Sequence, residues 1–131
     1  MKAEVIIVGE LLSRMKHKHG RIIDGKRHFW DVEKLWELSK SLPVRTIKLD
    51  SIKELDQDCW FQDSGSRPIP TIRNVAFHCQ RIINANMEYP ILLCSEGQLI
   101  DGGHRIAKAL IDGKSEIDAV YITLPEADVV Q

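Results

Sequence analysis

The stretch "YPILLCSEGQLIDGGHRIAKALIDGK", residues 89–114, decides the fold. Its opening run YPILLC (89–94) is short and continuously apolar, the pattern of a strand covered on both faces near the centre of a sheet. Ser95-Glu96-Gly97 then turns the chain into QLI, a second short strand. A helix follows from about Gly103 to Leu110 and stops at Gly113, a common residue just past a helix end. Strand, turn, strand, Asp-Gly-Gly-His-Arg and helix therefore follow one another without a linker.

Reading outward, IDAVYITL (117–124) supplies a further strand, and the acidic tail 125–131 is expected to be loose. Upstream, TIRNVAFHCQRIINAN (71–86) reads as a helix capped by Thr71. Its apolar stripe of Ile72, Val75, Ala76, Cys79, Ile82 and Ile83 is expected to face the core. VRTIKL (44–49) is rich in β-branched residues and reads as a strand. Segment 50–70, with its acids, Ser, Gly and Pro, reads as a loop pinned by Trp60 and Phe61. DVEKLWELSKSL (31–42) predicts an amphipathic helix capped by Asp31 and ended by Pro43. IIDGKRHF (22–29) carries the Asp-Gly signature of a hairpin, and AEVIIVG (3–9) reads as a strand. The order predicts a single small α/β (α+β) domain, a mixed β-sheet flanked by helices.

Composition limits what this domain does. At 131 residues there is room for one core, and a net charge of −1 gives no general attraction to nucleic acid or anionic lipid. No apolar run approaches the roughly 20 residues of a membrane span. The N-terminus lacks the features of a signal peptide, and the dispersed Cys59, Cys79 and Cys94 fit a reducing compartment, so the expected location is cytoplasmic.

The DGGHR stretch carries the chemistry. The first N–H groups of a helix have no intrahelical partner and sit at the positive end of its dipole. Glycine allows close approach of an anion, Arg105 offers a fork of donors and His104 a switchable one, so Gly102, Gly103, His104 and Arg105 form a candidate phosphate cradle. Asp101 suits a magnesium ligand, an orienter of His104 or Arg105, or a binder of a substrate amine. The same residues also suit a plain strand-to-helix turn, and short glycine motifs often mean no more than that.

Residues 89–122 resemble the signature segment of the ParB/sulfiredoxin superfamily, in which such a module forms the phosphate site of a nucleotide. The resemblance extends over roughly residues 44–124 and leaves 1–43 as an N-terminal extension and 125–131 as a tail. Sulfiredoxins hold a cysteine before the His-Arg pair; here that position is Gly103, so their chemistry lacks its nucleophile. The chromosome-partitioning branch adds a helix-turn-helix domain, and this chain ends soon after its last strand, which argues against DNA as a partner. The free serine kinase branch is the nearest in pattern, with D-G-H-H-R where this chain has Asp101 to Arg105. That resemblance implies a carboxylate acting on the acceptor hydroxyl, which falls on Asp56 with Glu54 as its neighbour. The helix before the module often supplies polar groups to the nucleotide, making Thr71, His78 and Arg81 candidates; a cap and two surface positions are the simpler reading. Arg67 and Arg73 are further basic residues near the Pro-rich loop. HKHGR (17–21), with His17 and His19, reads as an exposed basic loop short of a full ligand set for zinc.

Taken together these features imply a nucleoside triphosphate, ATP or CTP, bound with magnesium by a phosphotransferase or nucleotide hydrolase acting on a small hydroxyl-bearing acceptor. The alternative is a non-catalytic module that senses a nucleotide or a partner protein through the same pocket. A nuclease fits less well, because clustered metal carboxylates and a basic groove are missing. The first 43 residues are expected to cover the pocket, extend the sheet or mediate a homodimer.

Overall fold

A computed structural model of the chain describes residues 18–61 and 70–131. The expected strand at 3–9, His17 and Arg67 lie outside the described residues. Asp24 and Gly25 both adopt left-handed backbone (φ 52° and 77°), as a two-residue hairpin turn requires, and join β1 (Lys18–Ile23) to β2 (Lys26–Asp31). Asp31 closes β2 and caps α1 (Val32–Ser39), its carboxylate accepting from the Glu33 N–H at 3.1 Å. The strand β3 (Arg45–Lys48) leads into two short 3-10 turns, Leu49–Ser51 and Lys53–Asp56. After α2 (Ile72–Ile83) come β4 (Ile91–Cys94), β5 (Leu99–Asp101), α3 (Gly103–Ile111), β6 (Glu116–Ile122) and β7 (Val129–Val130).

The main sheet has the order β3-β6-β4-β5, with β4 parallel to β6 and both edge strands antiparallel to their neighbours. The fold is therefore α+β with a mixed sheet, as its element order predicts. Continuous apolarity in β4 has a direct cause, because both faces of the strand are covered. Ile91 and Leu93 point into one cluster with Leu49, Ile52, Ile106 and Ile117. Leu92 and Cys94 point into the other, with Trp30, Leu35, Ile100, Val120 and Ile122. One face lies under α3, the other under α1 and β2, which is how the sheet comes to hold a helix start and an N-terminal strand near one another.

Two expectations need correction. The tail is ordered: Val129 pairs with Phe29, making a second sheet of order β1-β2-β7. Asp128 accepts from the Asp31 N–H at 2.7 Å and from Lys34 Nζ at 3.1 Å, and these partners, the backbone first, hold its carboxyl below the usual range. Trp30 Nε1 donates to the Pro125 carbonyl at 2.8 Å, pinning the same segment. On α2 the apolar stripe faces outward. Ile72 is 90% exposed and Ile83 66%, whereas His78 is only 6% exposed and turned inward. Helical periodicity locates an apolar stripe, but the docking of the helix decides which edge is covered. Here the polar edge is covered, because it meets the start of α3.

Candidate functional site

The turn between β5 and α3 follows from one glycine. Gly102 has φ 122°, and a Cβ there would lie 2.5 Å from Ile91 Cγ2 and 2.8 Å from Ile91 Cβ. Gly103 differs: its Cβ would meet Trp60 at an ordinary 3.4 Å. Since Gly102 is the N-cap residue of α3, no side chain caps that helix, whereas Asp31 caps α1 and Thr71 caps α2. The leading N–H groups of α3 have no side-chain acceptor at the cap, and the positive end of the helix opens beside a charged cluster.

Arg105 sits in the first turn of α3 and reaches into that cluster. Its guanidinium lies 5.3 Å over the Trp36 ring, and its Nη2 is 3.7 Å from Asp101 Oδ2, beyond hydrogen-bond range. The same Asp101 oxygen accepts from Trp36 Nε1 at 2.8 Å. Among the described residues, the buried Arg105 Nε and Nη2 find no hydrogen-bond partner, a costly state for a cation. Burial lowers the Arg105 pKa and the Asp101 charge partly restores it; a guanidinium stays protonated at neutral pH regardless.

β1 brings a second guanidinium. Arg21 Nε donates to His19 Nε2 at 2.9 Å, and Arg21 Nη2 is buried without a hydrogen-bond partner among the described residues. Burial raises the Cys94 thiol pKa, but the Arg21 hydrogen bond and the Gln98 and Glu96 backbone bring it below its ordinary value. Burial pushes the His19 imidazole down to about 4, with the Arg21 charge adding to this and Asp101 opposing it. His19 is then neutral at pH 7, with Nε2 as the acceptor. The expected basic loop at 17–21 is thus, over its described part, a strand in which His19 and Arg21 share a face, as period-two geometry requires.

This has a consequence for stability. The unfolded chain protonates His19 near 6.5 and the folded one near 4, so the folded state binds fewer protons between those values. Stability contributed by neutral His19 is present above pH 6.5 and is lost as pH falls toward 4. In thermal melts across this window the wild type is expected to lose Tm more steeply than His19→Gln, which keeps an acceptor and does not titrate. Parallel curves would contradict this.

Opposite β1, His78 of α2 and His104 of α3 form a pair. Their Nδ1 and Nε2 atoms are 2.8 Å apart and share one proton. Trp60 stacks on both rings, with centroids 4.8 and 4.7 Å away and planes inclined by 15° and 6°. Phe61 and Phe77 meet His78 edge-on. Asp58 shapes the segment that presents Trp60, its Oδ1 accepting from the Trp60 and Phe61 N–H groups at 3.1 and 2.7 Å.

His19, Arg21, Trp36, Trp60 and the two histidines line one cavity of about 980 Å³ running from β1 and α1 to the start of α3. Asp101, Gly102, Gly103, His104, Arg105, His78 and Arg81 all border it, so most of the expected site residues are brought together. Two are not. Thr71 is an exposed cap whose hydroxyl accepts from the Asn74 N–H at 3.2 Å. Asp56 is exposed at the end of its 3-10 turn and does not border the cavity, whereas Glu54 within the turn and Asp58 beyond it do. Both Glu54 oxygens lie near the Leu99 N–H, at 3.2 and 3.1 Å. Among the described residues no group of three or more His, Cys, Asp or Glu forms a metal cage. A smaller apolar cavity of about 310 Å³, bordered by Leu55, Phe61, Ile106 and Leu110, adjoins the first at Trp60 and Gly103.

Sequence reasoning missed Arg21, Trp36 and the indole platform of Trp60. The shared face of His19 and Arg21 was the available signal for the first; nothing in the local pattern marks the tryptophans. Comparison with protein-family models, curated proteins and solved structures finds no match to this chain.

Proposed function

We propose that the cavity binds the phosphates of a nucleotide, with the uncapped start of α3 and Arg105 as the primary contacts. The observation that carries this is Arg105: a guanidinium whose buried Nε and Nη2 make no hydrogen bond among the described residues, next to helix N–H groups that the N-cap residue leaves without a side-chain acceptor. An oxyanion satisfies both at once, with charge-assisted bonds to the guanidinium and backbone bonds at the helix start. A ParB/sulfiredoxin-like module is consistent with this placement, and Gly103 leaves it without a thiol nucleophile. A cytoplasmic setting is part of the same reading, since Cys59, Cys79 and Cys94 are dispersed along the sequence with no close pair.

Magnesium fits as a companion of the nucleotide. That ion is held by one or two carboxylates together with phosphate oxygens and water, and Asp101 is the carboxylate at hand. When bound it would neutralise charge on the transferring phosphoryl group. The chain's own contributions are binding and orientation by Arg105, and proton exchange at the His78–His104 pair. Glu54, rather than Asp56, is the carboxylate on the cavity wall suited to orient an acceptor hydroxyl or water. This supports a phosphotransferase or nucleotide hydrolase using ATP or CTP. The second reading, a sensing module without turnover, is favoured by the ties that already hold Glu54 to Leu99 and Asp101 to Trp36.

A nucleotide panel tests both readings. ATP, ADP or CTP with magnesium is expected to raise the Tm by several degrees at saturating concentration. Phosphate release or transfer to a hydroxyl acceptor, free serine included, separates enzyme from sensor. No thermal response to any nucleotide, with or without magnesium, would defeat the proposal.

A further inference from the structure

The N-terminal hairpin supplies a second jaw to the cavity. We propose that Arg21 of β1 and Arg105 of α3 form a guanidinium clamp that selects a doubly charged terminal phosphoryl group over a singly charged phosphodiester. This rests on reading the cavity as a phosphate site and adds which phosphate it takes.

Both side chains border the same cavity, and both have a buried Nη2 without a hydrogen-bond partner among the described residues. They arrive from separate layers of the fold, one from the β1-β2-β7 sheet and one from the helix after β5. Arg21 is held in place by His19 Nε2 at 2.9 Å, so its guanidinium is positioned before a ligand arrives. His19 is neutral at pH 7 and acts only as that acceptor, adding no charge of its own. Asp101 is the carboxylate beside Arg105, and one of its oxygens is occupied by the Trp36 indole. The wall as a whole is balanced in formal charge, with Glu33, Glu37, Glu54 and Asp58 besides Asp101. The preference for a dianion therefore comes from the two guanidiniums themselves, each of which pairs with one negative charge of the group between them.

The probes are inorganic phosphate at pH 8, where it is mainly a dianion, and dimethyl phosphate, a monoanion without a nucleobase to add contacts. In wild type, phosphate is expected to bind at least about tenfold more tightly, as read by chemical-shift titration. In Arg21→Gln that preference should fall below about threefold, mostly through weaker phosphate binding. Arg21→Lys keeps the charge without the fork and should fall between them; it also stands in if the Gln variant fails to fold. An unchanged preference in either variant, or equal binding of the two probes by wild type, overturns the clamp. If wild type binds neither probe nor any nucleotide, the phosphate reading itself fails. If phosphate binding is lost in Arg105→Met but the preference ignores Arg21, only the clamp falls.

Discussion

Gly102→Ala is expected to lose about 3–5 kcal/mol of folding stability. Two costs combine. A non-glycine residue at φ 122° carries strain of about 1–3 kcal/mol. The new methyl would also stand 2.5 Å from Ile91 Cγ2 and 3.2 Å from Ile91 Cα, and Ile91 is wholly buried in β4. Overpacking of that kind adds about 1–3 kcal/mol because a close-packed core has no room to yield. Against a total stability of roughly 5–15 kcal/mol this is a large fraction. A melt followed by circular dichroism should show the Tm lowered by roughly 10–20 °C. Gly103→Ala is the control: its methyl meets Trp60 at an ordinary 3.4 Å, and the Tm should move by only about 2 °C. Equal effects at the two positions would mean that the β5–α3 turn is not built as described.

Arg105→Met is expected to move stability and binding in opposite directions. A largely buried cation whose Nε and Nη2 make no hydrogen bond among the described residues, and whose ion pair with Asp101 is long at 3.7 Å, weakens the free protein. An apolar side chain of similar length removes that cost while still packing on Trp36. The free variant should therefore melt at or above the wild-type temperature. Its nucleotide affinity should fall by about 30- to 1,000-fold, the loss of one or two charge-assisted hydrogen bonds worth about 2–4 kcal/mol. The opposite signs separate a ligand-binding arginine from a structural one. Calorimetric titration of both proteins with the nucleotide that stabilises wild type reads the effect, and comparable affinities would remove Arg105 from the site.

Much of the architecture was legible because local rules and the fold agree. Asp24-Gly25 demanded a hairpin, Asp31 and Thr71 announced helix starts, and ILLC declared a strand covered on both faces. The turn at Gly102 was legible for the same reason, since only glycine tolerates its backbone. The failures share a physical cause, in that each depends on contacts between segments distant in sequence. The stripe on α2 has helical spacing, yet His78 is drawn inward by His104 and Trp60 while the stripe stays exposed. Tail residues 129–130 look weak alone and become a strand only because β2 offers them an edge. At the site, DGGHR stood out by its own composition. Arg21 did not, because its meaning comes from being carried across to Cys94 and the cavity by a hairpin of ordinary sequence.

The most direct test of the account is to map where a nucleotide lands. In ¹H–¹⁵N spectra of the wild-type protein titrated with magnesium and ATP or CTP, the largest shifts should fall on the Gly103 and His104 amides and the Arg105 Nε resonance. Smaller ones should appear in the Trp36 and Trp60 indoles. Shifts that gather elsewhere, leaving the start of α3 and Arg105 unmoved, would contradict it.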